Sequence, residues 1–148
     1  MSRKRQRVIG TTNEAVDKAE IELGFRFPPS FRAWILKNNG LGVEGITIFP
    51  IYDERDARKT WDSIVRNYRE NWKDWLVNFE DDEMSFDHLL PFADYGTGDF
   101  YCFDYARMNE NGEAFIVRWS HETGEIEDRA KTFAEFVEKA EQGMYEFD

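Results

Sequence analysis

Residues 21–40 read IELGFRFPPSFRAWILKNNG: a helix end, a glycine stop, two prolines, a new helix and an Asn-Gly stop. Upstream, Thr11-Thr12-Asn13-Glu14 fits a capping box, in which a threonine hydroxyl accepts from an early helical N–H and a glutamate reaches back. Ala15, Val16, Ala19 and Leu23 recur at helical spacing, which predicts one apolar face running to Gly24. Gly24 can end that helix in the left-handed conformation, where other residues meet a Cβ penalty. Pro28 and Pro29 fix φ and lack a donor, which suits the first turn of a second helix. Phe31, Trp34 and Ile35 give the second helix its buried stripe, and Asn38-Asn39-Gly40 stops it.

Downstream, residues 43–52 are strand-like, with Gly45 and Pro50 limiting their regularity. Residues 56–76 carry the strongest helical signal: Trp61, Ile64, Val65, Tyr68, Trp72, Trp75 and Leu76 fall at three- and four-residue steps. Four adjacent carboxylates, Glu80, Asp81, Asp82 and Glu83, predict a solvated loop. The second half reads as antiparallel sheet. Strands are expected over 89–93, 100–105, 114–120 and 125–130, separated by turns at 94–98, 109–112 and 122–124. Thr132 and Glu135 form a second capping box, opening a helix that buries Phe133, Phe136, Val137 and Ala140. The expectation is a single α+β domain: a mainly antiparallel twisted sheet with helices packed in the N-terminal, middle and C-terminal parts.

Three motifs in this order resemble the SUKH superfamily, named after bacterial Syd, viral proteins and the yeast cell-wall-assembly regulator. The first comprises Leu23-Gly24, Pro28 or Pro29, Phe31-Arg32, Trp34-Ile35-Leu36 and Asn39-Gly40. The second is Leu90-Pro91-Phe92-Ala93 followed by the run from Gly98 through Asp99, Phe100, Tyr101, Cys102 and Phe103 to Asp104. The third is the closing Thr132-Phe133-Ala134-Glu135-Phe136-Val137. The likeness spans nearly the whole chain after about residue 10. The basic stretch at 1–10, with no aromatic or cap of its own, reads as a disordered tail, and the likeness implies a SUKH-like domain over 11–148. It also implies a non-enzymatic binding module. Many bacterial members are immunity proteins against toxin nucleases, and yeast-type members are regulators.

Composition narrows the options. A chain of 148 residues with 41% hydrophobic and 16% aromatic residues can build a proper core. No apolar run approaches the roughly 20 residues of a membrane span. Arg3, Lys4, Arg5 and Arg7 have no apolar segment behind them, so no signal peptide is expected. A single cysteine, Cys102, fits a reducing compartment, and the protein reads as cytoplasmic. The formal charge is −11; with the four cations of the first seven residues set aside, the remainder carries −15. Such a surface repels nucleic acid and anionic membranes and favours basic protein partners.

No catalytic or metal site is expected. Cys102, His88 and His121 are the only material for a Cys–His pair, and Cys102 falls mid-strand, where a small buried hydrophobe is the ordinary role. One cysteine and two distant histidines do not make a zinc site. Asp94, Asp99 and Asp104 lack calcium-loop spacing, and Gly96-Thr97-Gly98 precedes a strand, where a phosphate loop would open a helix. No cofactor is called for. Partner binding is assigned instead to carboxylates with aromatic residues among them: Asp53, Glu54, Trp72, Trp75, Glu80, Asp81, Asp82, Glu83, Asp94, Tyr95 and Asp99. The expected partner is a basic, nuclease-like toxin domain whose active-site surface this chain occludes. The alternative is a non-catalytic regulatory or scaffold module for a cellular protein. Salt-sensitive binding separates the first from the second.

Overall fold

A computed structural model describes residues 10–80 and 85–148. Helices α1 (Asn13–Leu23) and α2 (Pro29–Asn38) lead into a two-residue strand β1 (Thr47–Ile48). A 3-10 turn (Glu54–Asp56) and the short helix α3 (Ala57–Thr60) follow. The middle helical run, 64–79, comprises α4 (Ile64–Asn67), a π-helical segment (Tyr68–Trp72), α5 (Lys73–Leu76) and a 3-10 end (Val77–Phe79). Strands β2 (Leu89–Asp94), β3 (Phe100–Met108), β4 (Ala114–Trp119) and β5 (Ile126–Ala130) precede α6 (Phe133–Glu141). The five strands form one antiparallel sheet in chain order, β1 to β5. The α+β architecture matches the sequence pattern.

The helix-opening stretch works as its residues suggest, with one substitution of roles. Thr12 is the N-cap of α1, accepting from the Ala15 N–H at 3.1 Å. Gly24 closes α1 with φ 75°, its N–H donating to Glu20 O at 2.9 Å. The Phe31-Arg32 pair divides two tasks. Phe31 enters the core, 5.1 Å from Phe133 and 5.2 Å from Phe103. Arg32 clamps α2 to α1 through Asp17 at 2.7 Å and Glu20 at 3.0 Å. The exposed N-terminus of α2 is capped from afar: Glu113 accepts from the Ser30 N–H at 2.9 Å and the Ser30 hydroxyl at 2.6 Å. Asn39 is buried, and its side-chain amide donates to Ile51 O at 2.8 Å while accepting from Ile51 N–H at 2.7 Å. A side chain thus plays the part of a neighbouring peptide group.

Two expectations change. The strand over 43–52 shrinks to β1 because Glu44 and Gly45, both at positive φ, fold the chain into a tight turn closed by the Val43–Ile46 bridge. The helix over 56–76 breaks at 61–63, where the Ser63 hydroxyl caps a fresh start by accepting from Arg66 N–H at 3.2 Å. Trp61 therefore leaves the helical register and stands 59% exposed.

Strand β3 is buried on both faces over 100–104. Phe103 faces Phe31, Phe133 and Phe92, the last stacked at 4.2 Å. Phe100 faces Trp72 at 5.7 Å and Trp119 at 6.1 Å on the opposite side. Helices therefore cover the sheet on both sides. This arrangement leaves a concavity between α1 and the middle helical run.

Candidate protein-binding groove

Helix α1 lines one wall of a groove with Glu14 and Ala15, Lys18 and the buried Ala19, then Glu22. Across from it, α4 and the π-helical segment present Val65, Arg66, Arg69 and Glu70. The segment 51–55 closes one end. Between them lies a groove of about 670 Å³, within the range of ligand-binding clefts. Its depth follows from short side chains: Ala15 and Ala19 line α1 where longer residues would fill the space.

Thr11 fixes the acidic end. Its hydroxyl donates to Asp53 Oδ2 at 2.8 Å, joining the start of α1 to the 51–55 segment. Asp53 is only 6% exposed. It caps the 3-10 turn through the Arg55 N–H at 2.9 Å and grips the Arg55 guanidinium at 2.7 Å. The Arg55 guanidinium, outweighing burial and helped by Thr11, holds the Asp53 carboxyl down at about 2. At the other end Arg69 reaches Glu22 at 3.7 Å.

The groove's cations are all engaged. Lys18 and Arg69 face Glu22, Arg55 faces Asp53, and Arg66 bonds Glu70 and Asp62. Glu14 and Glu54, both exposed, stand outside those pairs. Tyr52 is 43% exposed on the groove wall. Arg66 lies over the exposed Trp61 ring at 3.9 Å, a cation–π arrangement. Tyr, Trp and Arg are the residue types that dominate protein–protein binding energy.

The residues singled out from the sequence fall in separate places. Asp53 and Glu54 line the groove. Trp72 belongs to the core at 1% exposure, against Trp119 at 4.8 Å, and offers no surface to a partner. Its helical spacing signalled burial, whereas Trp61 is the exposed one. Asp99 is buried beneath the Arg118 guanidinium and accepts from His121 N–H at 3.0 Å, so it is an anchor of the sheet end. Trp75 lies tilted against His121 at 4.8 Å beside it. Tyr95 leans on the 44–45 turn, donating to Glu44 O at 3.3 Å. Asp94, raised by burial and then by the Asp62 charge, receives Gly96 N–H at 3.2 Å. Glu80 is exposed beyond the middle helical run. Asp81, Asp82, Glu83 and the basic residues 1–9 lie outside the described residues. Cys102 is fully buried, and burial pushes its thiol well above the ordinary range. No helix among the described residues is long and apolar enough to cross a membrane.

Sequence reading missed Glu14, Tyr52, Arg66 and Arg69 as groove residues. Ala15 and Ala19 on one stripe were the available signal, but they read equally well as core.

A model of the SMI1/KNR4 family (SUKH-1) matches residues 10–139, from just before α1 into α6. The chain belongs to the SUKH-1 family. Within this SUKH-1 chain the match takes in both groove walls and every strand. SUKH domains are generally immunity or binding modules. No curated protein matches the chain at significant similarity.

Asp53 gives the SUKH-1 groove a measurable pH dependence. Its folded pKa is depressed, so its stabilisation is complete above the unfolded carboxylate value, near 4, and is lost as pH falls through about 2. Arg55 is half exposed, so screening limits the effect to about 1 kcal/mol. Wild type is expected to exceed Asp53→Asn in stability by about that much at pH 7, with the gap closing between pH 4 and pH 2. Denaturant titrations of both proteins across this range check it. A gap independent of pH removes the ion pair as its source.

Proposed function

We propose that this protein is a cytoplasmic immunity protein that binds a toxin domain and neutralises it, the toxin being a nuclease whose basic active-site surface it covers. The observation that carries the reading is SUKH-1 membership combined with a strongly acidic chain. A nuclease needs a cationic cleft for phosphates. An acidic inhibitor meets that cleft with a steered on-rate and electrostatic complementarity. Neutralisation inside a cell calls for tight binding. A nanomolar complex requires about 12 kcal/mol, more than rim charges supply, so aromatic anchors such as Tyr52 and Trp61 belong in the contact.

The test immobilises the protein, exposes it to lysate of the source organism at low salt, and elutes on a salt gradient. A toxin-domain protein is expected in the salt eluate. Once purified, its nuclease turnover should fall to zero at one equivalent of added protein. A captured domain whose turnover is untouched sinks the reading. Capture only of a resident enzyme or scaffold that resists salt points to a regulatory module instead.

A further inference from the structure

We infer that the groove between α1 and the middle helical run receives a loop of the partner carrying a lysine or arginine next to an aromatic or aliphatic residue. The inference rests on the toxin-binding reading and specifies what is recognised.

Charge selects the cation. The Thr11–Asp53 bond brings the start of α1 and the 51–55 segment to one end of the groove. Glu14 on α1 and Glu54 on that segment therefore sit at the same end, and neither belongs to the groove's ion pairs. The neighbouring carboxylate, Asp53, is already occupied by Arg55 and Thr11. An incoming ammonium or guanidinium would meet two carboxylates that have no ion-pair partner among the described residues. Shape selects its neighbour. Ala15 and Ala19 leave an apolar hollow facing Val65, and Tyr52 supplies a half-exposed ring at the wall. A side chain buried there is shielded by the same residues that hold the cation, which strengthens the ionic contact.

The same features reject other occupants. Phosphates of a nucleic acid would be repelled by Glu14 and Glu54. A second copy brings its own charge of −11 against an equally acidic surface.

The probe is a phage-displayed library of disulfide-constrained loops, selected on the wild-type protein. Enriched loops are expected to pair a basic residue with an aromatic or aliphatic one. On titration, amide shifts should cluster at Ala15, Ala19, Tyr52, Glu54 and Val65. The Glu14→Gln/Glu54→Gln double variant should weaken binding about tenfold and flatten its salt dependence. Tyr52→Ala, at an exposed position with no hydrogen-bonding role among the described residues, should weaken it while leaving the salt slope unchanged. Enrichment of loops without a basic residue, shifts centred on the 94–99 turn, unchanged affinity in both variants, dimers in sedimentation, or no enrichment at all would each overturn the assignment. If loops bind as described but no captured toxin is neutralised, the groove stands and the immunity reading falls. If a captured nuclease is neutralised equally by wild type and the double variant, immunity stands and the groove assignment falls.

Discussion

Trp72→Ala is expected to lower unfolding free energy by about 3–5 kcal/mol, the range for emptying a large aromatic site in a core. That is a large share of the roughly 5–15 kcal/mol available to a typical domain. The reason lies in its neighbours. Trp72 meets Trp119 at 4.8 Å, Phe100 at 5.7 Å and Phe86 at 6.3 Å. It is also the last residue of the π-helical segment and thus the point where the middle helical run is pinned to the sheet. The rings around it sit in a close edge-to-face network that cannot collapse into the vacated space without losing contacts elsewhere. Trp61→Ala is the contrast. That ring is 59% exposed, and its removal should cost no more than about 0.5 kcal/mol. Denaturant titration of both variants measures the difference. Equal losses would mean that Trp61, not only Trp72, supports the fold.

Asp99→Asn is expected to destabilise by about 2–3 kcal/mol, the low end of breaking a buried ion pair, because Arg118 retains some contact with water. The asparagine can still accept from His121 N–H, so the loss reports the missing charge together with the altered contact to the His121 ring Nδ1. What remains is a guanidinium held in place by Asp148 O at 3.2 Å with its main counter-charge gone. Replacing Arg118 by Met as well should recover much of the loss, since an apolar pair needs no counter-ion. A double-mutant cycle by denaturant titration gives the coupling directly. Additive losses would show that Asp99 and Arg118 act independently. Partner affinity of the folded Asp99→Asn protein should be unchanged, consistent with a residue that supports the sheet end from within.

Much of this fold is written in short-range chemistry. Thr12, Gly24, Pro29 and Thr132 mark helix ends because each supplies a backbone geometry or a cap that few residues can. The strands announce themselves by apolar runs bounded by turns. The groove is less legible, for a physical reason. Its walls come from residues 14–22 and 65–70, brought together by packing across the chain, and their charges look like any solvated helix face. Asp53 and Glu54 stand out in the sequence for charge alone, while Asp99 stands out for a turn that leaves its side chain buried. The break at Ser63 takes Trp61 out of register while Trp72 stays in it: a hydroxyl that restarts a helix is a weaker signal than seven aromatic or aliphatic residues in apparent register.

The amide of Asn39 has a bearing on how the protein keeps to itself at high concentration. A sheet edge with vacant peptide groups is a template on which another chain can grow. Past the end of β1, at Ile51, such groups are filled from within, because the Ile51 N–H and C=O are both taken by one side chain. At the opposite margin, β5 holds its carboxylates in ion pairs, Asp128 with Arg107 and Glu127 with Arg129, so a second copy laid alongside would have to displace or accommodate them. Strand-on-strand growth is thereby made harder at Ile51 by saturation, and at β5 by side chains already committed to ion pairs.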